Sequence, residues 1–243
     1  VVRVPHRDPQ PALDHARDGL FVVDRHQVDT RDAWDPPDRL DDLEREPDPL
    51  LPLLAFGAKG GLVPIHVWLP EAQPPAPSPV SALMSGVMLK TAVYGALRVT
   101  FDLLDDPLLW WWGLVAMVLG LLSALYGVVF AAAQTDMKRL LAFSSIENVG
   151  LLFTGFGLAL IFQSAGMSAP AGLALIAVLY HAVNHAFMKG LLFVGTGAVL
   201  HATGQRNLGR LGGLIHRMPW VAWPTLIGAL AIAGLPPLNG FVS

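Results

Sequence analysis

The 243-residue sequence contains no cysteine. Disulfides, cysteine-ligated zinc and iron–sulfur clusters all require cysteine thiols, so the chain itself holds none of them. Charge is also scarce, since 14% of the residues are charged and 53% are hydrophobic. No cluster of basic residues favours binding to nucleic acid. We therefore expect no cofactor in this chain and a redox-silent role, with any electron transfer carried out by other subunits.

Lysine is absent from residues 1–49, although this segment holds 13 of the 19 acidic residues and 7 of the 16 basic ones. The segment repeats Pro and Asp and shows no sustained hydrophobic period. Such a composition cannot build a packed core, so it predicts a non-membrane tail that is disordered or not native sequence. A soluble regulatory tail is the alternative. The remaining 194 residues have few charges and are predicted to form a transmembrane domain.

Six apolar segments follow the tail, each of about the 20 residues that a helix needs to cross a bilayer. They cover residues 50–69, 80–100, 108–133, 140–163, 171–203 and 220–243. The last segment is incomplete where the sequence stops, which suggests a fragment. The predicted fold is all-α, a polytopic transmembrane helix bundle in contact with the lipid bilayer.

Glycine and proline interrupt the first and last of these segments. The first contains Gly57, Gly60, Gly61 and Pro64, close to Lys59 and His66; the last contains Gly234, Pro236, Pro237 and Gly240. Opened backbone at membrane depth is tolerated only against protein or water, and paired broken helices are typical of transporters built from inverted repeats. The alternative for the first segment is a proline kink with Lys59 extending toward the membrane surface.

The fifth segment carries three ionisable residues in its apolar sequence: His181, His185 and Lys189. On a helix they are spaced i, i+4 and i+8, so they share one face, with Asn184 beside it. Ionisable groups facing lipid cost several kcal/mol, so this stripe should face protein or water, where such groups commonly move ions. Helix-packing hydrogen bonds are a second interpretation. A zinc site is a third, but Ala182 stands where the glutamate of an HExxH motif would be.

Two further ionisable residues lie inside apolar segments. Lys90 is halfway along the second segment, among small residues that permit close helix packing. Glu147 lies about two turns into the fourth. It is either a proton-relay carboxylate or an ion-pair partner of Lys138 or Arg139.

The loops support one orientation in the membrane. Those after the third and fifth segments are basic, whereas those after the second and fourth contain neither lysine nor arginine. The positive-inside rule places the basic loops in the cytoplasm.

Several runs resemble a known family: KGGLVPIHVWLPEAQPPAPSPVSALMSGVMLKTAVYG, QTDMKRLLAFSSIENVG, LYHAVNHAFMKGLLFVGTGAVLHATG and LGGLIHRMPW with LPPLNGFVS. Over about residues 50–243 they resemble the antiporter-like, proton-conducting subunits of complex I, multisubunit cation/proton antiporters and energy-converting hydrogenases. The membrane subunits of hydrogenase-4 and formate hydrogenlyase are the most similar branch. Family members carry further helices on both sides of the matched region.

The resemblance implies proton translocation in the inner (cytoplasmic) membrane, driven by electron transfer in partner subunits of a hydrogenase or NADH/quinone oxidoreductase. The partners would be other membrane subunits and, through them, subunits with iron–sulfur or nickel–iron centres. It implies a proton path through Lys59, Lys90, His181, His185 and Lys189. From their positions in the apolar segments we add His66, Glu147 and Asn184 as auxiliary residues, and we expect no metal. The alternatives are a subunit of a sodium/proton antiporter and a truncated, inactive remnant.

Overall fold

The structure is a computed structural model that describes residues 50–103 and 109–243. The tail predicted over residues 1–49 lies outside the described residues. The helices are α1 (Leu50–Gly60), α2 (Trp68–Ala72), α3 (Ser78–Leu83 and Leu89–Arg98, joined by a π turn at Met84–Met88 and followed by another at Val99–Leu103), α4 (Trp110–Ala132), α5 (Met137–Ser164), α6 (Ser168–Thr203), α7 (Leu214–Arg217), α8 (Pro219–Ile232) and α9 (Asn239–Val242). Within the described ranges no strand is present, and the predicted all-α fold is confirmed.

Four helices are long and apolar enough to cross a membrane: Ser78–Asp102, Trp110–Ala132, Met137–Ser164 and Ser168–Thr203. They correspond to the four middle segments of the sequence. The 11 residues of α1 and the 14 of α8 fall short of the roughly 20 that a crossing needs. The chain is a multi-pass membrane protein whose first and last apolar segments form broken helices.

Both broken helices end in the same glycine motif. Gly61 and Gly234 adopt positive φ angles of 79° and 71°, a backbone conformation that glycine reaches without a steric penalty. The following amide then bonds back to the carbonyl five residues earlier, Leu62 to Gly57 at 2.9 Å and Leu235 to Leu230 at 3.2 Å. This is the Schellman arrangement, which satisfies carbonyls that a helix end otherwise leaves unpaired. At both predicted interruptions the helix therefore ends in a Schellman motif and is not simply kinked at a proline.

The bundle is apolar on its outer surface as well as in its core. Phe153 and Phe156 of α5 are buried with residues of α1, α3 and α4. On the outside, Leu173 and Phe187 of α6 are 71% and 73% exposed. An exposed apolar surface of this extent fits contact with lipid rather than with water.

Helices α4 and α5 pack with their backbones in contact. Glycines recur every seventh residue on α4 and face glycines on α5: Gly113 and Gly120 lie against Gly157 and Gly150. A Cβ atom added at Gly120 would stand 2.6 Å from the carbonyl oxygen of Gly150. Without a hydrophobic driving force between helices in lipid, close approach at small residues provides much of the packing energy. The packing of α4 against α5 thus fixes the position of α5, the helix that contacts His181 and Lys189.

Asp136 immediately precedes α5, at the end of the bundle where the basic loops lie. Its Oδ1 accepts hydrogen bonds from the amides of Lys138 at 2.8 Å and Arg139 at 3.1 Å, which makes it an N-cap. Its Oδ2 lies 3.4 Å from Arg206 in the loop after α6. The loops before α5 and after α6 are therefore joined at this residue.

Replacing Asp136 with alanine should destabilise the protein by about 1 kcal/mol, because two helix amides lose their acceptor. The melting temperature in detergent should fall by about 2–4 °C. Asp136→Asn should retain most of the stability, since its side-chain oxygen still caps the helix. An alanine variant that melts with the native protein would exclude a capping contribution.

Candidate functional site

Lys90 is partly buried where α3 meets α6. Its Nζ lies 2.6 Å from Nδ1 of His185, and it donates a hydrogen bond of 2.6 Å to the carbonyl oxygen of Ser85. Ser85 belongs to the π turn that precedes Lys90, and π turns within α-helices occur frequently at functional sites. At Gly86, an added Cβ would stand 3.3 Å from the carbonyl oxygen of Ala186, so α3 and α6 cross closely beside this pair.

The stripe on α6 faces the protein interior. His185 and Lys189 are fully buried, and His181 is partly buried. The rings of His181 and His185 stack at a centroid distance of 5.9 Å with an interplanar angle of 5°. His181 Nε2 lies 3.2 Å from Oδ1 of Asn148 on α5. All three ionisable groups therefore turn away from lipid, and each contacts a different neighbouring group.

A pair of serines connects the surroundings of Lys90 and Lys189. The hydroxyl oxygens of Ser85 and Ser145 are 2.8 Å apart and fully buried. Ser145 donates to the carbonyl oxygen of Leu141 at 2.8 Å, and Lys189 Nζ donates to the same carbonyl at 2.9 Å. Polar contacts thus link Lys90 to Lys189 through the Ser85 residue, the Ser145 hydroxyl and the Leu141 carbonyl. The carbonyl oxygens of Ser85 and Leu141 only accept hydrogen bonds, so these contacts position the two lysines and satisfy their donors, and a proton cannot pass along them.

Residues 49–243 match the sequence profile of the family described as NADH:quinone oxidoreductase/Mrp antiporter, transmembrane. The chain belongs to this family.

Known proteins agree with the assignment. Hydrogenase-4 component B of Escherichia coli is 48% identical over 197 residues, which cover 80% of this chain and 29% of the relative. Formate hydrogenlyase subunit 3 of the same organism is 38% identical over 192 residues, 79% of this chain and 31% of the relative. The structure of the Mrp complex from Dietzia sp. superposes with a TM-score of 0.71 at 30% identity, covering 80% of this chain and 34% of that one. The chain spans less than a third of the length of these two curated relatives.

Lys59 was predicted to be the first lysine of the proton path. In the structure it lies apart from Lys90, His181, His185 and Lys189. It is in the last turn of α1, and its side chain is exposed. Across residues 50–103 and 109–243 it forms no hydrogen bond or ion pair. The described residues therefore bring Lys90, His181, His185 and Lys189 together but leave Lys59 outside the group.

His66 lies in the break between α1 and α2, with its ring against Tyr126 at a centroid distance of 4.4 Å. It is buried, and its Nδ1 has no partner among the described residues. It lines a cavity of about 370 Å³ together with Glu71 and Arg139. His66 thus lies apart from the group that contains Lys90 and His185, and close to the end of the bundle where the basic loops lie.

Glu147 is half-buried on α5. The ion pair predicted as one alternative is not formed, because Arg139 pairs with Glu71 at 3.0 Å and Lys138 donates to the carbonyl oxygen of Ala76 at 2.6 Å. Glu147 has no ion-pair partner among the described residues. Its role as a relay carboxylate stays a prediction.

Asn184 is buried beside the stripe, and its Nδ2 lacks a partner within the described residues.

No cluster of three or more His, Asp or Glu side chains that could hold a metal ion is found in the part of the chain that the structure describes. The nitrogens of His181 contact Asn148 and Ser243, and Nδ1 of His185 contacts Lys90.

Three residues of the network were not among the predicted site residues: Ser85, Ser145 and Asn148. Serines and asparagines are common in membrane helices, where they often form packing hydrogen bonds, so their type alone gives no functional signal. All three lie in runs that carry the family resemblance: Ser85 in the run that ends in SALMSGVMLKTAVYG, and Ser145 and Asn148 in QTDMKRLLAFSSIENVG. The resemblance was the available indication.

Proposed function

We propose that this chain is part of a proton-translocating membrane subunit of a hydrogenase-4-like or complex I-like respiratory complex. Electron transfer in partner subunits would drive the protons. The similarity to hydrogenase-4 component B, at 48% identity, supports this branch of the family over the others.

The observation that carries the proposal is the 2.6 Å contact between Lys90 Nζ and His185 Nδ1. At this distance a proton can pass directly: an N–H bond of the Lys90 ammonium breaks, and an N–H bond forms at Nδ1. Lysine becomes neutral and histidine becomes cationic, so the total charge of the pair is unchanged. Two basic groups that exchange one proton inside an apolar bundle are the minimal unit of a relay.

The full path would run from Lys59 through Lys90 to His181, His185 and Lys189, with ordered water between groups that are not in contact. His66, Glu147 and Asn184 would be auxiliary, His66 on the side of the basic loops. Movement of a charge elsewhere in the complex would shift the proton between Lys90 and His185, since a like charge disfavours the protonated form of a neighbouring base.

Other membrane subunits would be the immediate partners, and redox subunits with iron–sulfur or nickel–iron centres would supply the electrons. The basic loops with Lys138, Arg139, Arg206, Arg210 and Arg217 would face the cytoplasm of a bacterial inner membrane.

A sodium/proton antiporter subunit is the second candidate. The similarity to a protein of the Mrp complex, with a TM-score of 0.71, favours it. The same lysines and histidines would then exchange protons against sodium without electron transfer. Neighbouring genes for hydrogenase or quinone modules would support the first candidate, and neighbouring antiporter genes the second.

The deciding experiment reconstitutes the complete complex into proteoliposomes containing a pH-sensitive dye. Addition of the electron donor should produce a pH change that a protonophore abolishes and that sodium does not alter. Electron transfer without any pH change would contradict the proposal. A pH change that requires a sodium gradient, and not the electron donor, would establish the antiporter candidate instead.

A further inference from the structure

The side-chain amide of Asn148 has a fixed orientation. One of its polar atoms lies 2.8 Å from the carbonyl oxygen of Ser144, which can only accept. That atom must be Nδ2, the donor of the amide, so the oxygen Oδ1 points the other way, toward His181. An amide oxygen is a pure acceptor. His181 Nε2, at 3.2 Å from it, must therefore carry a hydrogen atom.

The other ring nitrogen of His181 then has the free lone pair. Nδ1 lies 3.2 Å from the hydroxyl oxygen of Ser243, which can donate to a neutral ring and accept from a protonated one. Both charge states of His181 are thus compatible with the same contacts. The proton that changes between them is the one on Nδ1.

His185 has a different arrangement. Its Nδ1 contacts Lys90, and its Nε2 is buried with no partner in the described part of the chain. Neither ring nitrogen is bonded to an amide oxygen. His185 can therefore gain or lose a proton at Nδ1, where Lys90 is its partner, whereas the amide oxygen at Nε2 of His181 is too weakly basic to accept a proton.

We propose that Asn148 is a positioning residue that holds a hydrogen atom on Nε2 of His181, so that this histidine binds and releases a proton through Nδ1 alone. His185 exchanges its proton with Lys90 through Nδ1, and His181 is a one-sided acceptor beside it. The transport part of this inference rests on the proposed function, but the hydrogen position on His181 does not.

The test is solid-state ¹⁵N NMR of the full chain, labelled at its eight histidines and embedded in lipid bilayers. Protonated and unprotonated imidazole nitrogens are well separated in such spectra, and the His181 signals are those lost in His181→Gln. In the native chain, neutral His181 should be protonated at Nε2. Asn148→Leu removes the acceptor and should lower the ratio of the Nε2–H to the Nδ1–H form about fivefold, the effect of one hydrogen bond.

Asn148→Asp keeps an acceptor oxygen, and as a carboxylate a stronger one, so Nε2 of His181 should stay protonated and the ratio should not fall. Thr154→Val removes a hydroxyl from the same helix, where it bonds to the carbonyl of Gly150, and should leave the ratio unchanged. A native His181 protonated at Nδ1, or an unchanged ratio in Asn148→Leu, would overturn the assignment. Proton flux is measured separately on the same variants in the reconstituted complex: absence of flux in the native complex contradicts the proposed function, and the NMR ratio alone decides the role of Asn148.

Discussion

Lys90→Met should abolish redox-driven proton movement, with a loss on the order of hundredfold, as expected when a positioned proton-transfer group is removed. Methionine is similar in length to lysine and as apolar as the aliphatic stem of lysine, so α3 should still insert and pack. It provides neither the proton that Lys90 shares with His185 nor the donor to the Ser85 carbonyl. The measurement is dye-detected proton flux per electron transferred in proteoliposomes.

Two variants separate proton transfer from charge and from burial. Lys90→Arg keeps the positive charge but cannot release a proton, so it should be as inactive as the methionine variant. Lys138→Met removes a buried lysine that, like Lys90, donates to a backbone carbonyl, here that of Ala76, but does not contact Lys90, His181, His185 or Lys189. It should retain flux within about twofold per assembled complex. Native flux in Lys90→Met would remove Lys90 from the path.

Gly120→Val should strongly destabilise the bundle. The new Cβ would stand 2.6 Å from the Gly150 carbonyl and from the Thr154 amide, and these backbone atoms cannot rotate away as a side chain could. Overpacking costs about 1–3 kcal/mol, and the upper end of about 3 kcal/mol applies here because backbone atoms are in the way, so the melting temperature in detergent should fall by about 6–12 °C. Because α5 carries Ser145 and Asn148, the displacement should also reduce proton flux.

Gly172→Val is the matched control for this prediction. It makes the same substitution within α6, where an added Cβ would meet no atom within 4 Å. The control should melt within about 2 °C of the native protein, since surface changes in a helix rarely exceed 0.5 kcal/mol. If both variants lose the same stability, backbone contact between α4 and α5 is not the cause.

The sequence predicted the elements of this membrane domain well because their signals are local. Four long apolar segments became four helices of sufficient length, and the glycines and prolines near Lys59 and Leu235 marked both breaks. The stripe of His181, His185 and Lys189 followed from the helical period alone. None of these predictions needed knowledge of which helices are neighbours.

The contacts between helices were not predictable in the same way. Lys90 and His185 are 95 residues apart in the chain and meet because α3 and α6 cross closely at Gly86. Ser85, Ser145 and Asn148 joined the network through that packing. The predicted alternative in which Glu147 pairs with Lys138 or Arg139 failed because Lys138 donates to Ala76 in the loop before α3 and Arg139 pairs with Glu71 in α2.

The sequence by itself determined that this chain is an all-α membrane protein of the antiporter family with ionisable residues inside its helices. Periodicity and hydropathy are properties of single segments, so they can be read without the fold. Only the tertiary structure decided that Lys90 contacts His185, that Lys59 stays outside the described cluster, and which nitrogen of His181 faces Asn148. These facts depend on the relative rotation and depth of separate helices, which side chains from distant parts of the sequence fix together.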